Sequence, residues 1–337
     1  MAEPVDFARS TTGRRNFLRT AAQGAAGLMV TALAGCRMAT GPEGAQVSAP
    51  DAMAALREVD PSLVRWVEDR RVELQLERIR AFAIDASDTA LVCGDGRVQC
   101  LDAKGREVAV IDAGGEPQCV AADHDTVYVG LRDRVVVFDR AGTRRAEWGP
   151  LGERCLLTAL AASGSLLAAA DSGARLVHLL DGKSVRSIGA RDAARSHPGL
   201  IVPSPHLDAV WRPDGHLLVA NCGMHRVETW TKAGTFVGAW GSPSCDLHGF
   251  CGCCNPTDLA LLADGGVVTA EKGIPRVKVH NADGSFREVV APPDAFDSAT
   301  NGLDLCVSRA GEVAILDPRA RAIRWFRGLD TGARAHG

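Results

Sequence analysis

The densest chemistry in the chain is Ser244-Cys245-Asp246-Leu247-His248-Gly249-Phe250-Cys251-Gly252-Cys253-Cys254-Asn255-Pro256, which places four thiols within ten positions. A second string, Asn221-Cys222-Gly223-Met224-His225, adds a fifth thiol and another imidazole. Thiols this close together can pair as disulfides that brace a loop in an oxidising compartment. They can bind a soft metal ion, copper, zinc or an iron–sulfur centre, as thiolates, or cycle as a redox-active pair. The spacing C-x5-C-x-C-C is neither a zinc-knuckle nor a ferredoxin pattern, so all three readings stay open. The candidate metal ligands are Cys222, Cys245, Cys251, Cys253 and Cys254, with His225, His248 and His206.

Carboxylates form a second constellation. Asp208, Asp258 and Asp304 each open a short apolar run, D-A-V-W, D-L-A-L and D-L-C-V. An acid at the start of a buried strand must be hydrogen-bonded or bind something. Three acids in one register could hold a cation, share a proton, or simply cap backbone N–H groups of a neighbouring element. Glu271 and Lys272, near Arg276, form a third group able to orient a substrate or tune a ligand; Asn221 and Asp317 fill the place of Glu271 in sister segments. Asp208, Asp258, Asp304, Glu271 and Lys272 are therefore the catalytic candidates.

The sister segments are repeats. Asp88-Thr89-Ala90-Leu91-Val92 through Arg97-Val98 to Gly105 aligns without a gap on Asp125-Thr126-Val127-Tyr128-Val129 through Arg134-Val135 to Gly142. The unit returns around Pro213-Asp214-Gly215 with Arg226-Val227, and around Ala263-Asp264-Gly265 with Arg276-Val277. Degenerate copies carry Arg175-Leu176 and Ala322-Ile323, which makes six. Each copy holds short β-rich runs cut by Gly and Asp turns, with no helical periodicity of useful length. Such copies read as the blades of an all-β, six-bladed β-propeller. The pattern P-x-x-L-A-x-x-x-D-G-x-x-V-x-A…R-V…G-x-F resembles the NHL repeat over roughly residues 78–328, and G-F-C-G-C-C-N-P-T resembles a loop of a bacterial subgroup of NHL proteins.

Anchor positions 97, 134, 175, 226, 276 and 322 are separated by 37, 41, 51, 50 and 46 residues. The extra length lies in segments 187–206, 241–256 and 291–302, which should emerge on one face and mark it as the binding face. The arginines at these anchors recur whatever the loops do, and read as structural. The sixth copy lacks a fourth strand. The alternating stretch 72–76 could supply it and close the ring, while 54–68 reads as a short helix. Cys119 and Cys306 read as core side chains, Cys93 and Cys100 flank a tight turn that a disulfide between them could bridge, and Cys155 has no evident partner.

The chain's N-terminal end carries an address. Arg14-Arg15-Asn16-Phe17-Leu18 precedes an uncharged Ala- and Gly-rich run too short to span a membrane. It resembles a twin-arginine export signal, and Leu33-Ala34-Gly35-Cys36 resembles a lipobox that would place a lipid on Cys36. The expected organisation is a signal peptide at 1–35, a tether with a possible short helix at 36–71 and the propeller at 72–330. The expected location is the extracytoplasmic side of a bacterial membrane, held by acyl chains. With 337 residues, 46% hydrophobic and a net charge of −3, the chain can bury a large core and has no basic field for nucleic acid.

These readings point to a lipid-anchored propeller that binds a metal or a redox partner through its cysteine-rich loop. A lyase- or hydrolase-like metalloenzyme with its metal at the channel mouth, and a disulfide-braced interaction scaffold, are the alternatives. NHL-like propellers include an amidating lyase whose zinc is held by histidines from several blades. Here only His206 matches, with Thr257 and Leu303 in the corresponding places, so the resemblance implies the fold more than the activity.

Overall fold

In a computed structural model of the chain, residues 54–182 and 184–329 are described. Arg14, Arg15, Cys36 and the first half of the expected tether segment lie outside them. The described residues form six four-stranded antiparallel sheets, and the innermost strands neighbour one another in cyclic order. The molecule is a six-bladed β-propeller. Blade one runs Ile79–Ile84, Ala90–Gly94, Arg97–Leu101 and Glu107–Asp112 from the axis outward. Blades two to five follow the same order with inner strands Cys119–Asp123, Leu157–Ser163, Ala209–Trp211 and Asp258–Leu261.

Blade six is made from both ends of the described chain. Its inner strands are Asp304–Val307, Val313–Asp317 and Ala322–Gly328, and its outer strand is Trp66–Glu73. Closure by an N-terminal strand agrees with expectation, but the strand begins earlier and shares only Val72 and Glu73 with 72–76. Leu74 and Leu76 are buried in the core with Leu316 and Trp325 beyond the end of the strand, where the Leu74 N–H donates to the Arg321 carbonyl at 2.8 Å and the Leu76 carbonyl accepts from the Arg321 guanidinium at 2.8 Å. Alternating hydrophobicity marked the residues that plug the blade, whereas the pairing strand carries four successive charges, Glu68 to Arg71, and alternates only in burial, as an outer strand with one wet face should. Of the expected helix over 54–68, the described residues keep helix at Ala54 and Ala55 and a 3-10 turn, Pro61–Leu63, capped by the Asp60 carboxylate, while the segment from Trp66 is strand.

Second and third strands are buried almost throughout, because each is covered on both faces by adjoining blades. Outer strands such as Glu107–Asp112 are largely exposed. The D-G turns work as the sequence requires, with Gly215 and Gly265 both at φ +86°. Cys93 and Cys100 do not bridge. They are buried free thiols, and their register partners are Val98 and Leu91. Among the described residues no helix is long and apolar enough to cross a membrane.

Candidate functional site

Antiparallel order within each blade sends the outer-to-inner connections and the loops between second and third strands to one face. The three enlarged segments meet there. The Gly223 N–H donates to the Ile201 carbonyl at 2.9 Å and the Asn255 N–H to the Cys222 carbonyl at 3.1 Å, so blade four's loop clamps both neighbours.

A buried ionic cluster positions the thiol loop. Glu271, at the end of a second strand, accepts from the Cys251 N–H at 2.8 Å, from Arg276 Nε at 2.8 Å and lies 2.7 Å from Lys278 Nζ. Arg276 and Lys278 then donate to the carbonyls of Cys245, Asp246, Leu247 and Gly249. All three charged side chains are almost wholly buried. Glu271 and Arg276 therefore fix the loop rather than face a substrate. Burial pulls the Lys278 ammonium down to about 8, against the opposing pull of Glu271. A disulfide between Cys245 and Cys251 closes the loop covalently.

This pairing divides the candidate ligands. Cys245 and Cys251 are spent on each other. His225 bonds through Nε2 to the Gly252 carbonyl at 2.6 Å, and His248 packs on Phe286 at 5.6 Å between ring centroids. What remains is Cys222, Cys253, Cys254 and His206. Cys253 is exposed, and its sulfur lies 3.1 Å from that of buried Cys254. Cys222 is buried and donates to the His206 carbonyl at 3.0 Å, and burial followed by the neighbouring Cys254 pushes its thiol up to about 12. Burial also raises Cys254, while a hydrogen bond with Ser204 and the charge of Lys272 pull the other way. Lys272 Nζ donates to Ser204 Oγ at 2.8 Å, which makes a Lys272–Ser204–Cys254 relay. His206 is held down to about 4 by burial and then by Lys272, so its imidazole is neutral.

The three aspartates stand at the mouth of the channel on the same face. Each gives one oxygen to the next blade: Asp208 accepts from the Leu259 N–H at 2.7 Å, Asp258 from Leu305 at 2.9 Å and Asp304 from Phe82 at 2.7 Å. The capping reading accounts for these bonds, which stitch blades four, five, six and one together. Asp258 and Asp304 also share a hydrogen bond with each other. Burial pushes Asp208 up to about 8 and Asp304 up to about 7, and burial with the two neighbouring acids raises Asp258. All three carboxylates, with His206, border a cavity of 490 Å³ at the mouth, and they also touch a cavity of 290 Å³ further along the axis.

One constellation was not among the sequence candidates. Cys155, Asp171 and His178, all buried in blade three, place their ligand atoms within 4.8 Å of one another, a group able to hold a metal ion. Among the described residues no other His, Cys, Asp and Glu side chains gather three ligand atoms so tightly. Asp171 sits in the register of Glu271, and His178 in that of Lys278, so aligning the copies held the signal that spacing along the chain did not.

No protein-family model matches the chain, and no curated protein sequence matches it. Among solved structures, a chain in the crystal structure of the mitotic checkpoint complex aligns with a TM-score of 0.54 at 13% identity, covering 88% of this chain and 100% of that one. The structure of streptogramin B lyase aligns with a TM-score of 0.54 at 10% identity, covering 80% and 100%. Likeness at this identity defines the class of fold, a β-propeller, and stops there.

Proposed function

We propose that the chain is a lipid-anchored, extracytoplasmic propeller of NHL type whose loop-bearing face binds a thiophilic ligand, either a soft metal ion or a redox partner. The observation that carries this reading is the exposed Cys253 thiol 3.1 Å from the Cys254 thiol, on a loop stapled beside them by the Cys245–Cys251 disulfide. A rigid loop with an open vicinal pair suits a soft ion that prefers sulfur, with Cys222 close behind. The same pair can lose two electrons and two protons to become a disulfide while a partner's disulfide gains them as two thiols. The export motif at Arg14-Arg15 and the lipobox at Cys36 support the location.

The test is a Cu(I) titration of the purified chain against a competing chromophoric chelator, with Cys253→Ser and Cys254→Ser. The reading expects tight stoichiometric binding that each substitution weakens at least tenfold; equal affinity in all three proteins contradicts it. Membrane release on Cys36→Ala and retention in the cytoplasm on Arg14→Lys/Arg15→Lys test the location. A second reading, a metalloenzyme of the channel mouth, is favoured by the 490 Å³ cavity that His206 and the three aspartates border. It expects a metal-dependent turnover abolished by Asp258→Asn and indifferent to Cys253→Ser.

A further inference from the structure

The corner between second and third strands repeats with a rule. In blades four, five and six a buried acid in or beside this corner has a permanent cation: Glu228, on the third strand next to the corner Asn221, with Arg226 at 2.6 Å, Glu271 with Arg276 at 2.8 Å, and Asp317 with Arg324 at 3.6 Å. Burying a carboxylate without such compensation is costly. Blade three departs from the rule. Asp171 is fully buried, Arg175 at the anchor position is exposed, and among the described residues the only basic side chain within ion-pair distance is His178.

The three side chains are also aimed. Asp171 Oδ1 accepts from the Leu156 and Ala174 N–H groups, each at 2.9 Å, which turns Oδ2 toward His178 Nε2 at 3.0 Å. His178 Nδ1 is held from behind by Ser187 Oγ at 2.9 Å, an arrangement that orients an imidazole for coordination through its other nitrogen. Cys155 completes the convergence, with its thiol hydrogen-bonded to Asp171.

We propose that Cys155, Asp171 and His178 form a binding site for one divalent ion of the zinc class, which takes the place of the cation that blades four to six supply from Arg or Lys. Thiolate, imidazole and carboxylate together are the donor set of Zn(II) and Co(II), and four-coordinate binding leaves one position for water. Binding displaces the Cys155 proton to solvent, and His178 offers Nε2 to the ion while Nδ1 stays on Ser187 Oγ. The site is remote in sequence from the thiol loop, and its existence does not depend on the function proposed for that loop.

The test is Co(II) titration of the metal-stripped full chain, followed by visible and near-ultraviolet absorption, with Zn(II) as competitor. The expected result is a thiolate-to-cobalt band and tetrahedral ligand-field bands in the wild type. Cys155→Ser and His178→Gln should lower the stoichiometry by one ion. Ser187→Ala, at an exposed position that will fold, should weaken that ion's binding ~10–100-fold. Unchanged stoichiometry in Cys155→Ser and His178→Gln, or unchanged affinity in Ser187→Ala, overturns the proposal. Cys253→Ser in parallel separates any ion bound at the loop-bearing face.

Discussion

Replacing Asp208 by Asn should make the propeller less sensitive to alkaline pH. In the folded protein Asp208 is pushed from 3.8 up to about 8, so it keeps its proton through neutrality. In the unfolded chain it ionises near 4. The native state therefore binds more protons than the unfolded state between those values. Stability contributed by this group is present below about pH 4 and is lost as pH rises toward about 8. At roughly 1.4 kcal/mol per unit, the ceiling on that loss is about 5–6 kcal/mol. Asp304, pushed up to about 7, and Asp258, also raised, act with the same sign and share the load. An amide at 208 can still accept from the Leu259 N–H but carries no charge, and it relieves Asp258 of a like-charged neighbour. Asp208→Asn should thus gain about 2–4 kcal/mol on the wild type between pH 5 and pH 9. Urea denaturation at a series of pH values reads the difference directly. A difference between the two proteins that stays constant across that range, or one that turns against the variant at pH 9, would refute the reasoning.

Two further substitutions probe the supports of the site. Glu271→Gln leaves Arg276 and Lys278 buried without their anion and should cost about 3 kcal/mol or more in denaturant melts, with faster alkylation of Cys254 as the loop loosens. Gly173→Ala would set a Cβ 1.9 Å from the Arg154 carbonyl, so backbone must shift beside Cys155; a loss of about 1–3 kcal/mol is expected in the same assay.

The fold was legible because each blade repeats its punctuation: the D-G turn, the anchor opening the third strand and the small-residue inner strand recur at intervals a reader can align. Closure was legible in kind and displaced in place, since Leu74 and Leu76 have a strand's alternation yet serve as core plugs, while the true edge strand hides its pattern among Glu68, Asp69, Arg70 and Arg71. At the site, residue types located the right face but could not divide the thiols. Whether Cys245 pairs with Cys251 depends on how Glu271, Arg276 and Lys278 fold the intervening loop, which is a three-dimensional fact. Asp171 and His178 were missed for a different reason. They lie on the second and third strands of a blade, away from the clustered thiols, and only comparison with blades four to six shows that their corner lacks a permanent cation.

The thiol state of the native chain tests the account most directly. Alkylating the folded protein without reductant, then reducing, labelling with a second reagent and mapping peptides by mass spectrometry, should find the first label on Cys253 and the second on Cys245 and Cys251. Recovery of Cys245 and Cys251 with the first label, or of Cys253 blocked until reduction, would contradict it.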